Sequence, residues 1–196
     1  MSEAERAEAL NGRRRESRPW HSPPHRADDG YSRFHVAAAC YEHQPHIGLD
    51  GARLDAFSEA LLATLAGLDA SCAAWCVLPN HYHLLVETTD ILALLRAIGK
   101  LHGRTSHAWN GEEGTRGRSV FYRAVERAMR SDAHFWTTLN YIHHNPVHHR
   151  YAARWEDWPW SSATDYLAAV GSDHADRLWH DYPLLDYGRG WDDANL

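Results

Sequence analysis

Apolar positions along the chain recur with two periods, and the periods predict its elements. Phe34-His35-Val36-Ala37-Ala38-Ala39-Cys40-Tyr41 is a short apolar run compatible with a buried strand or the start of a helix. Gln44-Pro45 and Gly48 stop it early, which favours a strand. Asp50 then precedes Leu54, Phe57, Leu61, Leu62, Leu65 and Leu68, a stripe at helical spacing with Gly67 near its end, so a core-facing helix is expected there. The runs Ser71 to Leu78 and His83 to Thr88, joined across Pro79-Asn80, read as two strands that can close as a hairpin. Asp90 can cap a second helix with Ile91, Leu94, Leu95, Ile98 and Leu101 on its buried side, extending toward Trp109.

Beyond that helix the signals are more mixed. Gly111 to Gly117 reads as a mobile loop that holds Arg116 and is followed by Arg118. Val120 to Val125 fits a further strand or a helical turn. Ser131-Asp132 predicts the start of a helix carrying Phe135, Leu139 and Ile142 on one stripe, with Pro146 marking its end. On that helix Tyr141 and Asn145 are one turn apart and share a face rotated away from the stripe. Their ordinary reading is a half-buried tyrosine and an amide near a helix end. The aromatic cluster Trp155-Glu156-Asp157-Trp158-Pro159-Trp160-Ser161-Ser162 can clamp the helix or stack bases, and packing is favoured.

Composition narrows the class. At 196 residues, 44% hydrophobic and 23% charged, the chain is expected to form one domain with a sizeable core and irregular ends. No apolar run reaches a membrane span and no secretory leader is legible, so a cytoplasmic protein is expected. Cys40, Cys72 and Cys76 lack zinc-ribbon spacing and read as small buried residues. A net charge of −6 argues against indiscriminate coating of nucleic acid, so any such contact has to be local. Residues 1–30 offer one place for it: Arg13, Arg14, Arg15, Arg18 and Arg26 surround Trp20, a composition suited to phosphates and unstacked bases or simply to a solvated tail.

The sharpest chemistry lies in Pro79-Asn80-His81-Tyr82-His83-Leu84-Leu85-Val86. In a strand, His81 and His83 point to one face and Tyr82 to the other. The pair is half a metal site or two histidines on a solvated face, and a site requires a third ligand from elsewhere.

Three motifs in order change the weight of these readings. Leu78-Pro79-Asn80-His81-Tyr82-His83-Leu84-Leu85-Val86, then Tyr141-Ile142-His143-His144-Asn145-Pro146-Val147, then Asp157-Trp158-Pro159-Trp160-Ser161-Ser162 resemble the REP-associated tyrosine transposases, single-tyrosine members of the HUH endonucleases. The resemblance spans about residues 31–166 and leaves 167–196 as a tail without an assigned role. It implies an α/β, ferredoxin-like HUH domain with a central antiparallel sheet flanked by helices. It also implies Tyr141 as nucleophile and His81, His83 and Asn145 as ligands of Mg²⁺ or Mn²⁺. The implied reaction is cleavage and rejoining of single-stranded or hairpin DNA by a monomer or homodimer, through a 5′-phosphotyrosine and a free 3′-hydroxyl. Arg13, Arg14, Arg15, Arg18, Trp20, Arg26, Arg116 and Arg118 are the candidate DNA contacts. The rival expectations are a domesticated, non-cleaving DNA-binding or regulatory protein on the same fold, and an unrelated zinc hydrolase using the histidine pair. Neither needs Tyr141 as a nucleophile.

Overall fold

Strand alternation decides where everything else packs. The computed structural model describes residues 33–189, so the arginines and tryptophan of the N-terminal arm lie outside the described residues. Four strands, β1 (Arg33–Ala39), β2 (Ala70–Val77), β3 (His81–Thr88) and β4 (Val125–Ala128), form one antiparallel sheet in the order β2-β3-β1-β4. Helix α1 (Gly51–Ala66) connects β1 to β2 and α2 (Ile91–Glu112) connects β3 to β4. This βαββαβ order is the ferredoxin-like arrangement. Phe34, Val36, Ala38, Tyr82, Leu84 and Val86 share one face and build a core with Leu54, Phe57 and Leu61 of α1 and Leu94 and Ile98 of α2.

A ferredoxin-like sheet with both crossover helices on one side needs a cover on the other. Here α3 (Asp132–His148) supplies it, with Leu139, Tyr141 and Ile142 packed against Ala74, Cys76, Leu78 and Leu85. Helices α4 (Ala163–Val170) and α5 (Ser172–Asp181) follow, and Asn140 of α3 donates to the carbonyls of Leu178 and Tyr182. The caps expected from sequence form: Asp50, Asp90 and Ser131 accept from the amides of Arg53, Ala93 and His134.

The Trp-Pro-Trp-Ser-Ser motif closes the open edge of β2. Val77 donates to the Trp160 carbonyl at 2.8 Å, Ser162 to that of Trp75 at 2.9 Å, and the Trp158 indole to that of Val77 at 2.9 Å. A sheet edge is thereby paired rather than left as a template. The Ser162 hydroxyl also meets His143 Nε2 at 2.9 Å, tying the motif to α3.

Four sequence expectations change. Helix α3 runs through Pro146 to His148, because a proline this close to the C-terminus forfeits a single intrahelical bond while the last turn closes by His149 N–H to the Asn145 carbonyl. Tyr141 and Asn145 are not at a helix surface: they are 5% and 0% exposed, since α3 lies between the sheet and the C-terminal elements. The start of the expected 111–117 loop is the end of α2, and Arg118 ties the following turn to Glu113 and Asn110. Of the 120–125 stretch, only Val125 enters a strand, while Phe121 forms an isolated bridge to Cys40.

Candidate active site

The site is built where β3 begins. Leu78 N–H bonds the His81 carbonyl at 2.8 Å to close the hairpin, and His81 and His83 then stand opposite Ala39 and Ala37 of β1, facing α3. From α3, one turn apart, Tyr141 and Asn145 come down on them. Asn145 Oδ1 lies 3.0 Å from His81 Nε2, and the Tyr141 ring meets the His83 ring edge-on with centroids 5.3 Å apart. The two motifs, over 50 residues apart in sequence, occupy one place.

The hydrogen bonds specify what the site lacks. Asn80 donates its amide nitrogen to the His43 carbonyl at 3.1 Å, which leaves its oxygen to accept from His81 Nδ1–H at 2.8 Å. A neutral His81 then presents a bare Nε2 to the Asn145 oxygen, and two lone pairs at 3.0 Å repel unless a second ring proton or a cation intervenes. Turning the Asn145 amide over would satisfy His81 but strand the oxygen; as placed, the buried Asn145 Nδ2 has no hydrogen-bond partner among the described residues. Either way, one atom of a fully buried amide is uncommitted. Two oxygen or nitrogen ligands at ~2.1 Å from an octahedral cation stand ~3.0 Å apart, so this donor pair has the spacing of two adjacent ligands of a small divalent ion. No group of three His, Cys, Asp or Glu side chains placed to hold a metal occurs among the described residues, so the candidate set is two imidazoles and an amide.

Sequence reasoning missed one histidine beside the pair and left four others, His143, His144, His148 and His149, as further possible ligands. His35 on β1 is buried and places Nε2 3.0 Å from His83 Nδ1; its only signal was a polar residue inside an apolar run. His149 lies one further turn along the Tyr141 and Asn145 face, its ring 4.8 Å from that of His81. The other histidines of the segment are turned elsewhere: His143 stacks on Trp155 and burial pulls its pKa down to about 4, while His144 packs on Trp179.

The C-terminal segment covers the phenol. Tyr187 packs edge-on to Tyr141 at 5.7 Å and hydrogen-bonds His134 and Thr138 through its hydroxyl. Gly188, at φ +79°, lies so close that a Cβ there would overlap the Tyr141 ring. A cavity of about 310 Å³ beside it is lined by Tyr141, His144, His148 and residues 184–189. Arg116 and Arg118 have partners outside this site: Arg116 donates to the His107 carbonyl, and Arg118 to Asn110 and Glu113. No helix among the described residues is long and apolar enough to cross a membrane.

No family model matches the chain. A protein of Haemophilus influenzae named "Putative REP-associated tyrosine transposase" is 29% identical over 119 residues, 56% of this chain and 68% of that protein. Among solved structures, a REP-associated tyrosine transposase bound to a REP hairpin superposes with a TM-score of 0.59 at 20% identity, over 75% of this chain and 86% of that one.

Proposed function

We propose that this chain, which is similar in sequence to one REP-associated tyrosine transposase and in fold to another, is a DNA-processing enzyme which cuts and rejoins single-stranded, hairpin-forming DNA through Tyr141. The observation that carries this reading is the convergence of His81, His83 and Asn145 beneath a tyrosine on the same helix as the amide. His81, His83 and Asn145 would hold Mg²⁺ or Mn²⁺. When bound, such an ion polarises a phosphodiester and neutralises charge developing on its oxygens.

The protein groups define the remaining steps. Tyr141 Oη loses its proton and attacks phosphorus, forming the Tyr–O–P bond as the P–O3′ bond breaks, so the DNA is left with a 5′-phosphotyrosine and a 3′-hydroxyl. Attack by a 3′-hydroxyl on that ester reverses the chemistry and releases Tyr141, which permits strand transfer without a nucleotide cofactor. Asn80 holds the His81 ring at Nδ1, keeping Nε2 toward Asn145. Tyr141 is 5% exposed and borders the cavity lined by residues 184–189, which is the side from which a phosphate would approach it.

The test is a labelled single-stranded hairpin incubated with the protein and Mn²⁺ or Mg²⁺. A covalent protein–DNA adduct is expected, and it should vanish in Tyr141→Phe; an adduct that survives that substitution refutes the assignment. One observation favours a second reading, a non-cleaving DNA-binding protein on the same fold: the same cover over Tyr141. Hairpin binding with no adduct under any divalent metal, even after residues 184–196 are removed, would establish it.

A further inference from the structure

We infer that His35 is a positioning residue for the metal site, holding His83 in the tautomer that presents Nε2 as ligand. The inference rests on the reading of His81, His83 and Asn145 as the ligand set. Its evidence is a parallel between the two histidines of the motif. His81 has its Nδ1 engaged by Asn80 Oδ1 at 2.8 Å, and His83 has its Nδ1 engaged by His35 Nε2 at 3.0 Å. Each ring therefore has Nδ1 engaged by a protein group, with Nε2 facing the Asn145 oxygen in His81, so Nε2 is the nitrogen each would present to an ion.

The backbone makes the second contact possible. Ala37 pairs with His83 and His35 with Leu85, so His35 is the diagonal neighbour of His83 on the face toward α3. It is 5% exposed, with its ring centroid 5.1 Å from that of His83 and 6.0 Å from that of Tyr141. A buried imidazole is costly unless its nitrogens are used, and the next two inward positions on β1 are Ala37 and Ala39, so packing alone does not require a polar ring here. Ligating histidines are commonly oriented by an acceptor on the opposite ring nitrogen, and loss of that acceptor typically weakens metal binding by ~10–100-fold. His35 serves as that acceptor, a neutral ring in place of a carboxylate. The opposite arrangement, His35 Nε2–H donating to His83 Nδ1, would put the proton on His83 Nε2 and forbid ligation.

Two measurements on the full chain decide it. A long-range ¹H–¹⁵N spectrum of the metal-free protein should show His83 with its proton on Nδ1. Titration with Mn²⁺, followed by the loss of its free-ion paramagnetic resonance signal, should show binding weakened by ~10–100-fold in His35→Leu and restored to within a few-fold of wild type in His35→Gln, which supplies an acceptor oxygen. Adduct formation in His35→Leu should recover as Mn²⁺ is raised. A wild-type His83 protonated on Nε2, or Mn²⁺ binding in His35→Leu equal to wild type, overturns the role of His35 alone; if His35→Leu does not fold, the wild-type spectrum still decides. Wild-type protein that binds no Mn²⁺, with His81→Ala indistinguishable from it, instead overturns the ligand set on which the inference stands.

Discussion

The two faces of β3 each bury a tyrosine against a histidine, and the outcomes are opposite. On the side of α1 and α2, the Tyr82 hydroxyl and His102 Nε2 are hydrogen-bonded at 2.9 Å, and His102 stacks on Phe121 with centroids 4.2 Å apart. Burial raises the Tyr82 pKa and lowers that of His102 to about 4, so both stay neutral and satisfy each other inside an apolar core. On the side of α3, Tyr141 meets His83 ring to ring, and His81 Nε2 lies 3.0 Å from the oxygen of Asn145, whose buried amide nitrogen has no hydrogen-bond partner among the described residues. The same residue types make a closed pair on one face and a converging, incompletely matched set on the other. The lesson is that the same residue types take different places according to their surroundings, an apolar core on one face and a cluster with a buried, partly uncommitted amide on the other.

Breaking each pair should separate the faces. Tyr141→Phe is expected to abolish the covalent DNA adduct with little change in stability, whereas Tyr82→Phe should leave the adduct within about twofold and cost ~1–3 kcal/mol in denaturant unfolding, because His102 loses its partner. His81→Ala should weaken Mn²⁺ binding by more than about a hundredfold, beyond the loss typical of removing an outer group that only orients a ligand, and titration against His102→Phe, which should bind normally, provides the contrast.

Acid probes the closed pair. His102 and His143 are held at about 4, below the ordinary 6.5 of imidazole, so the unfolded chain takes up protons first as pH falls. Their contribution to stability is complete above pH 6.5 and is lost as pH falls through 4, by roughly 1–3 kcal/mol for each ring. His102→Phe should flatten that slope in unfolding measured across this range; an unchanged slope would contradict the assignment. The smallest effect is expected at the cover: Gly188→Val, which meets both a positive φ and the Tyr141 ring, should speed hydrogen exchange at residues 184–189 by about tenfold or more while β2 and β3 exchange as before.

Much of the frame was legible because it rests on local rules. The caps at Asp50, Asp90 and Ser131 and the Pro79-Asn80 connection depend on neighbours within a few residues, and alternation in β3 alone put His81 and His83 opposite Tyr82. Pro146 misled because a proline's cost depends on how many bonds of the helix remain to be made beyond it. Val120 to Val125 misled because bridge and strand both look apolar in sequence.

Sequence by itself determined most of the elements as far as α3, the shared face of the histidine pair opposite Tyr82, and the spacing that puts Tyr141 and Asn145 on one side of α3; it did not give α4 or α5. Only the tertiary structure decided that these two sides meet, that His35 engages the His83 ring at Nδ1, and that Tyr187 and Gly188 lie over the phenol. The reason is range: period and capping are set by backbone geometry within a turn or a pleat, whereas the tautomer of a buried imidazole and the access to a buried hydroxyl depend on groups tens of residues away that come near only when the core closes.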